Sequence, residues 1–191
     1  MATCMETILR RRSIRRFLPR AIERELLVKM VQAATLAPSA GNGQPWEFII
    51  VDDAMTVKQV NKNVGWLGGA PEETQQPVAH VVVLLRNPDK RWAVYADGGA
   101  AVATLCLAAT EKGIGSCWIG SVNREDLLRT LEIPADLEIF SIVALGYPAE
   151  EPVLTEVADK PSAKRDLDGV LHVEKRSVRS VCHVSHYGKR L

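Results

Sequence analysis

Apolar residues follow two rhythms along this chain. Over 22–36, Leu26, Leu27, Met30, Val31, Ala34 and Leu36 fall on or near one face at helical spacing, which predicts an amphipathic helix. The longest helical pattern covers 92–113, and shorter ones cover 5–12, 54–64 and 124–131. The run 79–85 is nearly continuous in apolar residues, the mark of a strand covered on both faces. Segments 46–51, 115–119 and 137–145 predict three further strands, and Gly- and Pro-rich stretches at 38–45, 65–77 and 146–148 separate the elements.

Helices come first, then strands and helices without regular βαβ alternation. This order predicts an α+β fold, a mixed central sheet flanked by helices, rather than a doubly wound parallel one. The small residues Gly98, Gly99, Ala100 and Ala101 would let another backbone approach the longest helix, as across a two-fold interface. From Glu150 the chain turns charged and Pro-containing, with too few apolar anchors to stand alone. It is expected to extend as an arm that wraps a dimer partner. The division expected is one domain over 1–174 and a tail of unassigned role over 175–191.

Composition narrows the function classes. The 191 residues are enough for one domain with a substantial core. With 24 Lys+Arg against 23 Asp+Glu, the surface is no polyelectrolyte built for nucleic acid or anionic lipid. The greasiest runs, 78–85 and 98–109, are short and interrupted by His80, Thr104 and Cys106, so no membrane span is expected. The first residues lack an apolar signal core, and Cys4, Cys106, Cys117 and Cys182 match neither a zinc site nor a disulfide framework. A cytoplasmic protein without a metal site is the expectation.

Three segments carry candidate chemistry. Arg10, Arg11, Arg12, Arg15 and Arg16 crowd around Ser13, which reads either as a solvated basic face or as an anion site. The loop 37–46 sets Ser39, Asn42 and Gln44 among glycines and prolines, beside Trp46. Segment 113–120 brings glycines and Trp118 to the end of a strand, where backbone N–H groups approach a planar ligand. Asp97 and Glu111 lie on the long helix without a partner carboxylate, so paired acid–base work is not expected. His80, in an apolar strand, reads as a satisfied core histidine. Cys182, His183 and His186 belong to a packing or disordered tail.

In series, Arg11-Arg12-Ser13-Ile14-Arg15-Arg16-Phe17, then Ala37 to Phe48 (APSAGNGQPWEF), then 113–120 and finally Leu145-Gly146-Tyr147-Pro148 resemble the FMN-dependent nitroreductase family over about residues 6–174. The resemblance implies a homodimer with one FMN in each of two sites between subunits. It assigns Arg11, Arg12, Ser13 and Arg15 to the phosphate, ribityl chain and pyrimidine edge of the flavin. Pro38, Ser39, Ala40, Asn42 and Gln44 would reach the same flavin from the other subunit. Trp118, Ile119 and Gly120 would line one face, and Lys164 or Arg165 would return to the phosphate. The family's usual arginine position is taken here by Lys164, with Arg165 next to it.

The implied activity is electron transfer from NADH or NADPH to small acceptors such as nitroaromatics or quinones, with the chemistry carried by FMN and no catalytic side chain. Donor and acceptor would use one flavin face in turn, a ping-pong scheme. Two alternatives stand beside it. One is a flavin enzyme for a specific metabolite, by dehydrogenation, flavin fragmentation or reductive dehalogenation. The other is a non-enzymatic anion or nucleic-acid module built on the arginines.

Overall fold

The computed structural model describes residues 3–86 and 92–191. Two compact units divide at the point where the composition shifts, Met1–Ala149 and Glu150–Leu191.

The first unit is built on a four-stranded antiparallel sheet. Its strands are β1 (Trp46–Val51), β2 (Ala79–Arg86), β3 (Gly115–Ile119) and β4 (Leu137–Gly146), in the order β1-β2-β4-β3. The expected mixed pairing enters at the β3 edge, where Ser13 forms a parallel bridge to Ser116. The helices are α1 (Cys4–Arg10), α2 (Arg24–Thr35), α3 (Ala54–Lys62), α4 (Trp92–Glu111) and α5 (Arg124–Thr130). The α+β expectation therefore holds, with each end within about two residues of its sequence pattern.

β2 is apolar throughout because both its faces are covered. Val81, Val83 and Leu85 join Leu27 and Met30 of α2 and Val102 and Leu105 of α4 in one core layer. Val82 and Leu84 join Val57 and Val60 of α3 and Leu127 of α5 in the other. A period of two sends alternate residues to opposite faces, so one strand feeds both layers.

Local chemistry fixes the helix ends. Thr3 and Glu6 form a reciprocal capping box at α1, with the Thr3 N–H donating to Glu6 at 2.7 Å and the Glu6 N–H to Thr3 Oγ1 at 3.2 Å. Asp53 caps α3 by accepting the Thr56 N–H at 2.9 Å. His80 is a core histidine satisfied at one ring nitrogen only. It is fully buried, its Nε2 lies 2.7 Å from Asn61 Oδ1 while its Nδ1 is buried without a partner, and burial pushes its pKa down to about 3.

The small-residue patch on α4 divides: Gly98 and Ala101 face this chain's own core, and Gly99 and Ala100 stay half-buried. Ala101 is fully buried, and a Cβ on Gly98 would fall 3.1 Å from Leu85 and 3.2 Å from Phe140. At 20 residues and mean hydropathy 1.3, α4 is also long and apolar enough to cross a bilayer. Here its apolar stripe of Ala101, Val102, Leu105, Cys106 and Ala109 lies in the core against α2 and the sheet.

The second unit is not featureless. β5 (Val153–Val157) runs parallel to β7 (Leu171–Arg176), which pairs antiparallel with β6 (Ala163–Arg165). Most of these side chains are exposed, so no apolar alternation marks the strands. A short helix, α6 (Val178–Val181), follows; beyond it the His183 and Tyr187 rings stack at 4.5 Å.

Candidate functional site

α1 stops at Arg10, and the chain then runs extended along the open edge of β3. The Ile14 N–H donates to Ser116 O at 2.9 Å, the Phe17 N–H to Gln75 O at 2.9 Å and the Leu18 N–H to Tyr147 O at 2.8 Å. Ile14 and Phe17 are buried anchors, 7% and 0% exposed, and between and before them Arg11, Arg12, Ser13, Arg15 and Arg16 stay half-buried. The anchors fit because the sheet offers glycine beneath them. A Cβ on Gly115 would stand 3.0 Å from the Ile14 side chain, and one on Gly146 would stand 2.7–2.9 Å from Phe17.

Arg12 is the electrostatic peculiarity of this segment. One terminal nitrogen, Nη1, donates to the Arg11 carbonyl, but its Nε is buried without a hydrogen-bond partner. Burial and the neighbouring Arg11 charge hold its pKa below the usual arginine range. A buried guanidinium donor beside a like charge is costly unless an anion meets it.

A cleft of about 370 Å³ is lined by Arg15, Trp66, Cys117, Trp118, Ile119 and Gly120, together with Gly65, Leu67 and Ser121. Ile119 is buried, whereas Trp118 is 45% exposed and leans on Phe140 with ring centroids 5.9 Å apart. The opposite wall was silent in the sequence. The Gly65 N–H donates to Ser121 O at 2.7 Å, the Asn123 N–H donates to Asn63 O at 2.9 Å, and Val64 bridges Val122. These bonds hold Trp66 and Leu67 at the rim. Only the Gly and Pro content of 65–77 signalled an irregular segment there.

The loop 37–45 sits elsewhere and contributes nothing to that cleft. Ala40–Asn42 form one turn of 3-10 helix after an extended Ser39, and Asn42 and Gln44 adopt positive φ of 57° and 45°. Ser39 Oγ accepts the Gln44 N–H at 3.1 Å, closing the loop on itself, while Pro38, Ala40, Asn42 and Gln44 stay exposed. At its base the Ala40 N–H donates to the carboxylate of Asp97 at 3.0 Å. Sequence reasoning missed that role because the two residues are 57 positions apart.

Of the two C-terminal cations, Arg165 is committed inside its own unit. It donates to Glu150 at 2.6 Å and to Gly169 O at 2.8 Å. Lys164, next to it on β6, is exposed.

Comparison with known proteins gives this arrangement its context. The nitroreductase family model matches residues 8–147, from the arginine segment to Tyr147. This chain belongs to the nitroreductase family. Among family relatives, a protein of Archaeoglobus fulgidus, provisionally named NADH dehydrogenase/NAD(P)H nitroreductase, is 36% identical over 184 residues, 92% of this chain and 99% of its own. The 5,6-dimethylbenzimidazole synthase of Rhodospirillum rubrum is 28% identical over 77% of this chain and 82% of its own. A Bacteroides fragilis nitroreductase solved with bound FMN superposes with a TM-score of 0.66 at 26% identity, covering 84% of this chain and 96% of that one.

Proposed function

We propose that this nitroreductase-family chain is an FMN oxidoreductase that draws electrons from NADH or NADPH and delivers them to small acceptors such as nitroaromatics or quinones. The observation that carries the reading is Arg12, whose buried Nε has no partner and whose charge is crowded by Arg11. A phosphate monoester meets both needs, because its oxygens accept from the guanidinium fork and its charge offsets the two cations. The bound FMN of the Bacteroides fragilis relative supports the same choice of ligand.

FMN, when bound, supplies the two-electron chemistry. The chain's residues would do the rest. Arg12 and Ser13, with Arg11, would hold the phosphate. Arg15, which lines the cleft, would stabilise electron density at the pyrimidine edge. Trp118, Ile119 and Gly120 form the wall against which the ring system lies and offer backbone donors to it. Lys164, rather than the already engaged Arg165, is the cation that would reach the phosphate. Ser39, Asn42 and Gln44 lie outside this cleft, which favours a homodimer in which they serve the site of the other subunit, with the segment after Glu150 as the wrapping arm.

Initial rates with NADH and with NADPH at varied nitroaromatic or quinone concentration test the shared-face mechanism. Parallel double-reciprocal lines are expected, and intersecting lines would refute it. The similarity to the 5,6-dimethylbenzimidazole synthase favours one specific alternative, chemistry on a single metabolite. Anaerobic mixing with NAD(P)H separates the two: rapid bleaching of the flavin supports the oxidoreductase, and bleaching over minutes supports the alternative.

A further inference from the structure

α4 buries Asp97, Gly98, Ala101, Val102, Leu105, Cys106 and Ala109, one stripe at helical spacing. Every member is small or apolar except Asp97. A carboxylate on the core-facing stripe of a helix is expensive unless hydrogen-bonded, and here it accepts the backbone N–H of Ala40 at 3.0 Å. That amide opens the 3-10 turn Ala40–Asn42, which leads into two non-glycine residues in left-handed conformation, Asn42 and Gln44. Such a loop is costly to hold by itself. Its internal ties, the Asn42 N–H to Ser39 O, the Gly43 N–H to Ala40 O and the Gln44 N–H to Ser39 Oγ, close the turn but do not anchor it to the sheet or helices.

We infer that Asp97 is the positioning residue of the 39–44 loop. By holding the Ala40 amide, the carboxylate fixes the base from which Ser39, Asn42 and Gln44 project, so the loop is set before any ligand arrives. The flavin-binding readout of this inference rests on the flavin reading above; the hold on the loop does not.

The test compares Asp97→Ala, which removes the acceptor, with Asp97→Asn, which keeps an oxygen acceptor without the charge. Ala40→Pro serves as an independent variant, since it deletes the donor at the first position of the turn, where proline is tolerated, and leaves α4 untouched. Two readouts are taken: hydrogen exchange of the 40–44 amides in ligand-free protein, and binding of riboflavin and of FMN followed by flavin fluorescence. In Asp97→Ala and Ala40→Pro the 42–44 amides should exchange faster. If the set conformation falls to about a tenth of the population, riboflavin and FMN should both weaken by about tenfold. Asp97→Asn should keep exchange near wild type. It should also keep the affinity for both flavins near wild type.

Unchanged exchange over 42–44 in both Asp97→Ala and Ala40→Pro would overturn the positioning role. Exchange in Asp97→Asn as fast as in Asp97→Ala would overturn the side-chain oxygen as the hold. Should wild type bind neither flavin, the flavin reading fails, while the exchange data still decide whether Asp97 holds the loop.

Discussion

Gly146→Ala is the most exposing perturbation of the architecture that seats the arginine segment. Its Cβ would arrive 2.7 Å from Phe17 Cδ1, 2.8 Å from Cβ and 2.9 Å from Cγ. Contact with the Phe17 Cβ means that rotating the ring cannot relieve the clash; the backbone of Phe17 must move. That backbone is pinned by the Phe17 N–H bond to Gln75 O and by the bridge to Pro148. Overpacking of a filled core commonly costs about 1–3 kcal/mol, which for a chain of this length lowers the melting temperature by roughly 2–12 °C. The same displacement lifts residues 11–16 off β3, so flavin affinity should fall together with stability. Phe17→Gly costs stability alone by deleting a buried side chain, but it removes the Cβ that the new methyl group would meet. The double variant is therefore expected to be more stable than the sum of the single changes predicts, a positive coupling in a double-mutant cycle. Thermal unfolding of the four proteins at one concentration reads this directly. A Gly146→Ala protein within about 0.5 kcal/mol of wild type, or strictly additive changes, would refute the claim that the arginine segment is seated on this glycine.

Burial holds the His80 pKa at about 3 in the folded chain against an ordinary value of 6.5, so below pH 6.5 the unfolded chain takes up a proton that the folded chain refuses. The stability present above pH 6.5 is lost as pH falls toward 3, and the loss between pH 8 and pH 5 should be about 2 kcal/mol from this group. Urea titrations at the two pH values should show a loss smaller by that amount in His80→Gln, and equal losses would contradict the assignment. Asp53 accepts the Thr56 N–H at the start of α3, whereas Glu23 at the start of α2 makes no side-chain cap. Asp53→Ala should therefore lower the melting temperature by roughly 2–4 °C and Glu23→Ala by much less; the reverse order would be the failure.

What the sequence made legible follows the strength of local pattern. β2 could be read because burial on both faces leaves almost no polar residue in it, and α2 because one apolar face recurs over a dozen residues. The arginine segment and the 39–44 loop were legible because special backbone and dense donors require unusual residue types. β5, β6 and β7 were not, since a small sheet with exposed side chains needs no alternation. The Gly98–Ala101 patch shows the opposite limit: small residues signal close approach but not by which neighbour, and at Gly98 the neighbours are Leu85 and Phe140 of the same chain. Asp97 and the wall made by Trp66 and Leu67 depend on contacts across more than fifty residues, for which no local pattern exists.

Titration of flavin-free protein with FMN and with riboflavin, in wild type and Arg12→Ala, tests the central claim most directly. Wild type should bind FMN more tightly than riboflavin, because the phosphate answers the buried, unpartnered Arg12 Nε. Arg12→Ala should weaken FMN by about ten- to a hundredfold, the equivalent of one charge-assisted contact, and leave riboflavin nearly unchanged. Equal affinity of wild type and Arg12→Ala for FMN, or a matching loss for riboflavin, would contradict the assignment of the arginine segment to the phosphate.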